Sequence, residues 1–392
     1  MIAIYTLTSE LHDEAAVSAV TKEFLGSLGF DFDYKGSNYE DYGTHPLDLI
    51  YVRTGGTEGI FKRLLPDLQK KSQLEGICNP RSKLEGICNP RPIYLLTSGK
   101  SNSLAASMEI LSYLNQQGMK GEIIHGPAEY IRSRIGILAK VSKARKSLIG
   151  CRLGVIGRPS DWLISSNADY NILKEKIGLV MVDIPMDELL NACKESSIYD
   201  ALKTIIRKHD LQGFTLRCFD LLTALKDTGC LALAKLNAEG IVSGCEGDVP
   251  ALVTMMIAQS LTGLSGFQAN PSSINVETGE MLFAHCTIPL NMVERYELDT
   301  HFESGIGTAV RGFMAKGDVT VVKVSGDLSR SFIAEGTLLR NESKPDLCRT
   351  QQVIRLSDPT QAAYFLTNPI GNHHIVLPGH LGAAFKELTD NL

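Results

Sequence analysis

The chain has 392 residues, 44% of them hydrophobic and 21% charged, and a formal net charge of −5. That length is too great for a single core and asks for two or three domains. Mild acidity without a dense Lys/Arg cluster among aromatics argues against a nucleic-acid partner. The apolar runs fall far short of the roughly 20 residues of a membrane helix.

The opening "MIAIYTLTSELHDEAAVSAV" lacks a basic start and acquires acids early, which argues against a signal peptide and makes the cytoplasm the expected compartment. Nine cysteines include no Cys-x-x-Cys pair, so they read as reduced, mostly buried thiols rather than a zinc knuckle. "IAIYTL" (2–7), "LDLIYV" (47–52) and "PIYLLT" (92–97) read as strands. "NSLAASMEILSYLNQQG" (102–118) reads as a helix with Leu104, Met108, Leu111 and Leu114 as its apolar stripe. The tandem repeat "SQLEGICNPR"/"SKLEGICNPR" (72–91) reads as a duplication in a surface loop, not a Cys78/Cys88 metal site. The basic stretch "KVSKARKS" (140–147) reads as a break between units.

A second unit restarts with the strand "CRLGVIG" (151–157) and the loop "RPSDW", and alternates strand and helix up to "GIVSG" (240–244). Such alternation is the pattern of a parallel sheet covered by helices. Beyond about residue 280 the texture changes, and "DVTVVKVSGDLSRSFIAEGTLLR" (318–340) reads as antiparallel strands. Strand "HHIVLP" and helix "AAFKELTDN" close the chain. The expected division is an N-terminal α/β domain over 1–149, a middle α/β domain over 150–265 and a β-rich domain over 266–392.

Two glycine patterns fail. "LLTSGKSNS" has the Gly-Lys-Ser ending of a phosphate loop but Tyr94 where the first glycine belongs, and neither "TGGTEG" nor "GVIGRP" fits the dinucleotide fingerprint. A nucleotide enzyme is therefore set aside. Two clusters remain. In "GCEGDVPALVTMMIAQSLTG", Asp248 is a good N-cap for an apolar helix that Pro250 opens and Gly263 closes. Capping explains Asp248 but not Glu246, which sits at the carboxyl end of a strand, where α/β sheets bind ligands. In "NPIGNHHIVLPGHLG" (368–382), His373 and His374 point to opposite faces of a strand, so one of them at most reaches a given cavity. Carboxylates with an imidazole suit Mn²⁺, Fe²⁺ or Co²⁺. His285 in "FAHCTIP" reads as a polar lining residue, and Trp162 suits either sugar stacking or plain packing.

"CEGDVPALVTMMIAQSLTG" resembles the acidic motif of the L-fucose isomerase group, with L-arabinose isomerases more distant, and "GNHHIVLPGHLGAAF" is similar to its C-terminal His segment. The resemblance covers roughly 214–286 and 368–388. It implies two doubly wound α/β domains followed by a β-rich C-terminal domain. It also implies a divalent metal, usually Mn²⁺, a monosaccharide substrate, and a trimeric or hexameric homo-oligomer. Carried over, it makes Asp248 and His373 metal ligands, gives proton transfer to Glu246 or to Asp248 itself, and leaves His285, Asn372 and Trp162 to line the sugar site. The sequence departs from the family at its upstream catalytic glutamate, where "DTGCLALAKLNAEG" (227–240) places Cys230 or a neighbour. Asp220, Asp227 and Glu239 are the nearby acids. The implied activity is metal-dependent aldose–ketose isomerisation. The alternative is a non-catalytic sugar-binding relative lacking one carboxylate.

Overall fold

The computed structural model describes residues 2–74 and 91–392. The duplication expected to be a surface loop lies, from residue 75 to 90, outside the described residues. The chain divides into two compact units, Met1–Lys146 and Ser147–Leu392.

In the first unit, β1 (Ile2–Leu7), β2 (Phe32–Gly36), β3 (Leu47–Val52), β4 (Ile93–Thr97) and β5 (Gly121–Ile124) form a parallel sheet in the order β2-β1-β3-β4-β5. Helices α1 (Glu14–Leu28), α2 (Glu58–Leu74), α3 (Ser103–Gln116) and α4 (Ala128–Leu148) supply the crossovers. The near-continuous apolar run of β3 follows from burial on both faces. Ile50 and Val52 enter one core with Phe61 and Ile110, while Leu49 and Tyr51 enter another with Ile131 and Ile135.

One expectation needs correction here. On α3 the buried face is Ser103, Ala106, Ser107, Ile110 and Leu114, whereas Met108 is 57% exposed. Small residues let this helix lie close to the sheet, and the hydroxyls are paired locally, Ser103 Oγ accepting from the Thr97 hydroxyl and Ser107 donating to the Ser103 carbonyl. The stretch 140–147, expected to mark a break between units, does hold their boundary, after Lys146, and it is helical: it forms the last turns of α4, where Val141, Ala144 and Leu148 share a buried face and the basic side chains lie off it.

The second unit opens with a parallel sheet of β6 (Arg152–Ile156), β7 (Val180–Ile184), β8 (Gly213–Leu216) and β9 (Val242–Cys245), in the order β7-β6-β8-β9. Helices α5 (Tyr170–Ile177), α6 (Met186–Ala192), α7 (Ile198–His209), α8 (Cys218–Leu225) and α9 (Cys230–Ala238) connect these strands, and α10 (Val249–Thr262) leaves the sheet. Six strands then close an antiparallel barrel: β10 (Phe267–Asn275), β11 (Glu280–His285), β14 (Gly317–Val324), β15 (Ser331–Glu342), β16 (Thr350–Leu356) and β17 (His374–Pro378). A ribbon of β12 (Arg295–Asp299) and β13 (Ala309–Phe313) forms its own two-stranded sheet, with β13 packed against β16. Short α11 (Tyr364–Thr367) and terminal α12 (Gly382–Thr389) complete the chain.

Helix α10 explains its own composition. It contacts β8 and β9 of the sheet on one side and β14 and β17 of the barrel on the other. Burial on both sides asks for apolar residues nearly all round, and eleven of its positions, from Val249 to Leu261, are buried. Its N-terminus therefore lies where sheet and barrel meet.

Candidate active site

The turn after β9 is fixed by its backbone before any ligand is considered. Glu246 and Gly247 both adopt left-handed conformations, φ 62° and 63°. A side chain on Gly247 would meet the Arg158 carbonyl oxygen at 2.9 Å and Ser160 Oγ at 3.0 Å, so only glycine fits. Gln268 braces the strand end, accepting from Cys245 N–H at 2.8 Å and donating to the Cys245 carbonyl at 3.2 Å. The Ser160 hydroxyl hydrogen-bonds the Glu246 carbonyl, tying the "RPSDW" loop to this turn. A non-glycine residue held at positive φ marks strain that local structure must over-determine.

Asp248 is both cap and site residue, one oxygen for each. Oδ1 accepts from the Ala251 N–H at 2.8 Å. Oδ2 accepts from His373 Nδ1 at 2.9 Å and from Lys323 Nζ at 3.5 Å. Asp248 and His373 are fully buried and Lys323 is 1% exposed. The Asp248 contact spends Nδ1 of His373 and leaves Nε2 facing Glu246 Oε1 at 3.6 Å, with no hydrogen-bond partner of its own. His285 Nε2 lies 3.3 Å from the same Glu246 oxygen, its Nδ1 resting on Thr287 Oγ1 at 3.1 Å. The two imidazoles meet edge to face with centroids 5.3 Å apart. Glu246, His285 and His373 thus each offer one ligand atom within 4.8 Å of the others.

The electrostatics follow from these contacts. Burial opposes ionisation of Glu246, but the charge of His373 and the hydrogen bond from His285 outweigh it and hold the carboxyl far below its usual range. Burial likewise opposes the Asp248 carboxylate, and the Lys323 ammonium with His373 brings it down to about 2. For His373, burial favours the neutral ring, yet the carboxylates of Glu246 and Asp248 push it up to about 9. Burial depresses Lys323, which Asp248 partly offsets. His374 points the other way, against Phe332, Tyr364 and Phe365, and burial drives it down to about 3. It is a neutral core histidine.

In front of this cluster opens a narrow cleft of about 40 Å³. Glu246 and His285 lie on its wall with Phe219, Asn270, His301 and Glu303. Asp248 and His373 stand behind Glu246, off the lining. Trp162 and Asn372 are each one residue removed from the lining. Trp162 packs edge-on to Phe219 and over Arg217, and Asn372 Nδ2 donates to Asn270 Oδ1 at 3.0 Å. Of Asp220, Asp227 and Glu239, none lines the cleft. Asp220 pairs with Arg217, Asp227 accepts from Thr228 N–H, and Glu239 pairs with Lys203. Cys230 does line it.

Sequence reasoning missed Lys323, His301 and Glu303. Lys323 left a signal: it falls in strand period with Val319 and Val321, both core residues. Glu303 and His301 sit in the connection between β12 and β13 and left none.

Fold and centre together define a mixed α/β protein with parallel sheets, a β-barrel and a carboxylate–imidazole cluster at the carboxyl end of a parallel strand. No family model matches the chain. The chain is distantly similar to proteins named sulfoquinovose isomerase. That of Priestia megaterium (strain ATCC 12872 / QMB1551) is 21% identical over 290 residues, 64% of each chain. That of Alkalicoccus urumqiensis is 22% identical over 230 residues, 50% of this chain and 52% of its own. A Clostridium protein (strain MSTE9) reaches 32% over 90 residues, 23% of this chain and 20% of its own. The chain thus spans just under two thirds of the length of the first of these relatives. Among the described residues, no helix is long and apolar enough to cross a membrane.

Proposed function

We propose that the protein is a divalent-metal-dependent aldose–ketose isomerase acting on a monosaccharide. The observation that carries this reading is the orphaned Nε2 of buried His373, aimed at Glu246 and joined there by His285. A buried polar atom without a partner asks for an unseen one. A carboxylate with two imidazoles suits a borderline cation such as Mn²⁺, Fe²⁺ or Co²⁺. In this reading Glu246, His285 and His373 hold the ion. Asp248, expected from the sequence to be a ligand, orients His373 through Nδ1, because both its oxygens are already engaged.

A divalent ion held there would polarise the two oxygens between which the carbonyl migrates. The chain's own residues do the rest. Isomerisation removes a proton from one carbon and returns one to its neighbour, so it needs a base and a proton donor at the cleft wall. Glu246 and Glu303 are the two acids on that wall. Glu303 takes the place of the carboxylate whose usual position holds Cys230, with Phe219 and Asn270 positioning the sugar.

The relatives' name supports a sugar isomerase. The fucose/arabinose type, Mn²⁺, a cytoplasmic location and a homo-oligomer are finer parts of the proposal that rest on the two motifs quoted above. The second reading, a sugar-binding relative without catalysis, is favoured by Cys230 and by the engagement of Asp220, Asp227 and Glu239 elsewhere. Incubation with Mn²⁺ and a panel of aldoses in deuterated water separates them. Ketose product or deuterium at C2 supports isomerisation. Sugar-dependent thermal stabilisation without exchange supports binding alone.

A further inference from the structure

Five of the seven described cysteines, Cys218, Cys230, Cys245, Cys286 and Cys348, line the one cleft that carries Glu246. Neither metal binding nor sugar isomerisation calls for such a wall. Within it, Cys218 Sγ and Cys245 Sγ are 3.3 Å apart, nearer than ordinary sulfur–sulfur packing. The backbone makes this pairing. Cys245 ends β9 opposite Leu216 of β8, and Cys218 opens α8 two residues past that partner. Cys245 is buried, whereas Cys218 is half-buried on the cleft side, so the two differ in access.

We propose that Cys218 and Cys245 form a reversible oxidation site through which a peroxide entering the cleft controls the position of Glu246. Cys218 sulfur attacks the peroxide: an S–O bond forms, the O–O bond breaks, and the departing oxygen leaves as water with the thiol proton. Cys245 sulfur then attacks the Cys218 sulfenic acid. The S–S bond forms, the S–O bond breaks, and the second oxygen leaves as water with the Cys245 proton. The two sulfurs lose two electrons and the peroxide gains them. A small-molecule dithiol restores both thiols by exchange. A disulfide needs its sulfurs at ~2.05 Å, so closure draws the end of β9 toward α8 and carries the adjoining Glu246 with it. The effect on metal holding rests on the reading of Glu246 given above; formation of the bond does not.

The test treats the full-length protein briefly with hydrogen peroxide, blocks free thiols, digests with trypsin and a glutamate-specific protease, which separates Cys245 from Cys286, and maps cross-linked peptides by mass. The expected product is a Cys218–Cys245 link, reversed by dithiothreitol and absent from Cys218→Ser. Mn²⁺ titration of the oxidised protein should show at least tenfold weaker binding, recovered on reduction, and peroxide should leave the affinity of Cys218→Ser unmoved. A link between Cys286 and Cys348 instead, or oxidation of Cys218 without any link, overturns the proposal. So does a Cys218–Cys245 link that leaves Mn²⁺ affinity unchanged. A protein that forms the link but binds no Mn²⁺ in either state refutes the metal reading while upholding the oxidation site.

Discussion

Replacing Lys323 by methionine, which keeps the stem and removes the charge, isolates one contact. Lys323 and Asp248 are 1% and 0% exposed and their charged atoms lie 3.5 Å apart. At that separation an effective dielectric of ~20 gives an attraction of about 5 kcal/mol. Truncating one partner of a buried pair costs about 3–5 kcal/mol, because the other charge stays buried. Asp248 keeps the Ala251 N–H and His373 Nδ1, so the lower end, about 3 kcal/mol, is expected. Trp162, the sole tryptophan, belongs to the second unit, so its fluorescence follows this unit's unfolding in urea without interference from the first. With chelator present, the loss for Lys323→Met should shrink to below about 1 kcal/mol in an Asp248→Asn background, where no carboxylate remains to be abandoned. Equal losses in the two backgrounds would refute the coupling.

Four further outcomes are expected. Asp248→Asn should weaken Mn²⁺ binding about 10–100-fold yet leave a measurable site, whereas His373→Ala should abolish it; metal analysis of the purified variants decides. In the metal-free protein His373 stays protonated up to about 9, above the ordinary imidazole value, so its contribution to stability is complete below about 6.5 and lost as pH climbs through about 9. Metal needs the unprotonated ring, so Mn²⁺ affinity should climb about tenfold per pH unit between about 6.5 and 8.5, and a flat titration would contradict the assignment. Finally, Glu246→Gly and Glu246→Ala both delete the carboxylate, but glycine relieves the left-handed backbone at φ 62° and should be more stable by about 1 kcal/mol in thermal unfolding.

Much of the fold was legible because strands and helices in the parallel sheets bury whole faces. "LDLIYV" and "IAIYTL" are strands at the residues expected, since a strand covered on both sides is apolar throughout. The stripe on α3 misled, because hydrophobicity alone cannot tell which face lies close enough to the sheet to require serine and alanine. The basic end of α4 marked the boundary between the units although it is helical: its buried residues are three in eight and its charges point outward. At the site, the meeting of Asp248 with His373 across 125 positions was accessible through the two motifs. The division of labour between the Asp248 oxygens was not, since it depends on which atoms Ala251, His373 and Lys323 reach in three dimensions. Glu303 was invisible for want of any pattern, lying in an irregular connection whose placement is set by the β12–β13 ribbon.

The double-sided burial of α10 limits how this polypeptide can be divided. Cut after residue 265, the sheet-bearing piece would present to water the flank of α10 that β14 and β17 now cover. The remaining piece would keep His285, Lys323 and His373 but lose both acids that give those side chains something to face. Shared ownership of one helix ties residues 147–392 into a single compact unit, whose seam runs along both flanks of α10.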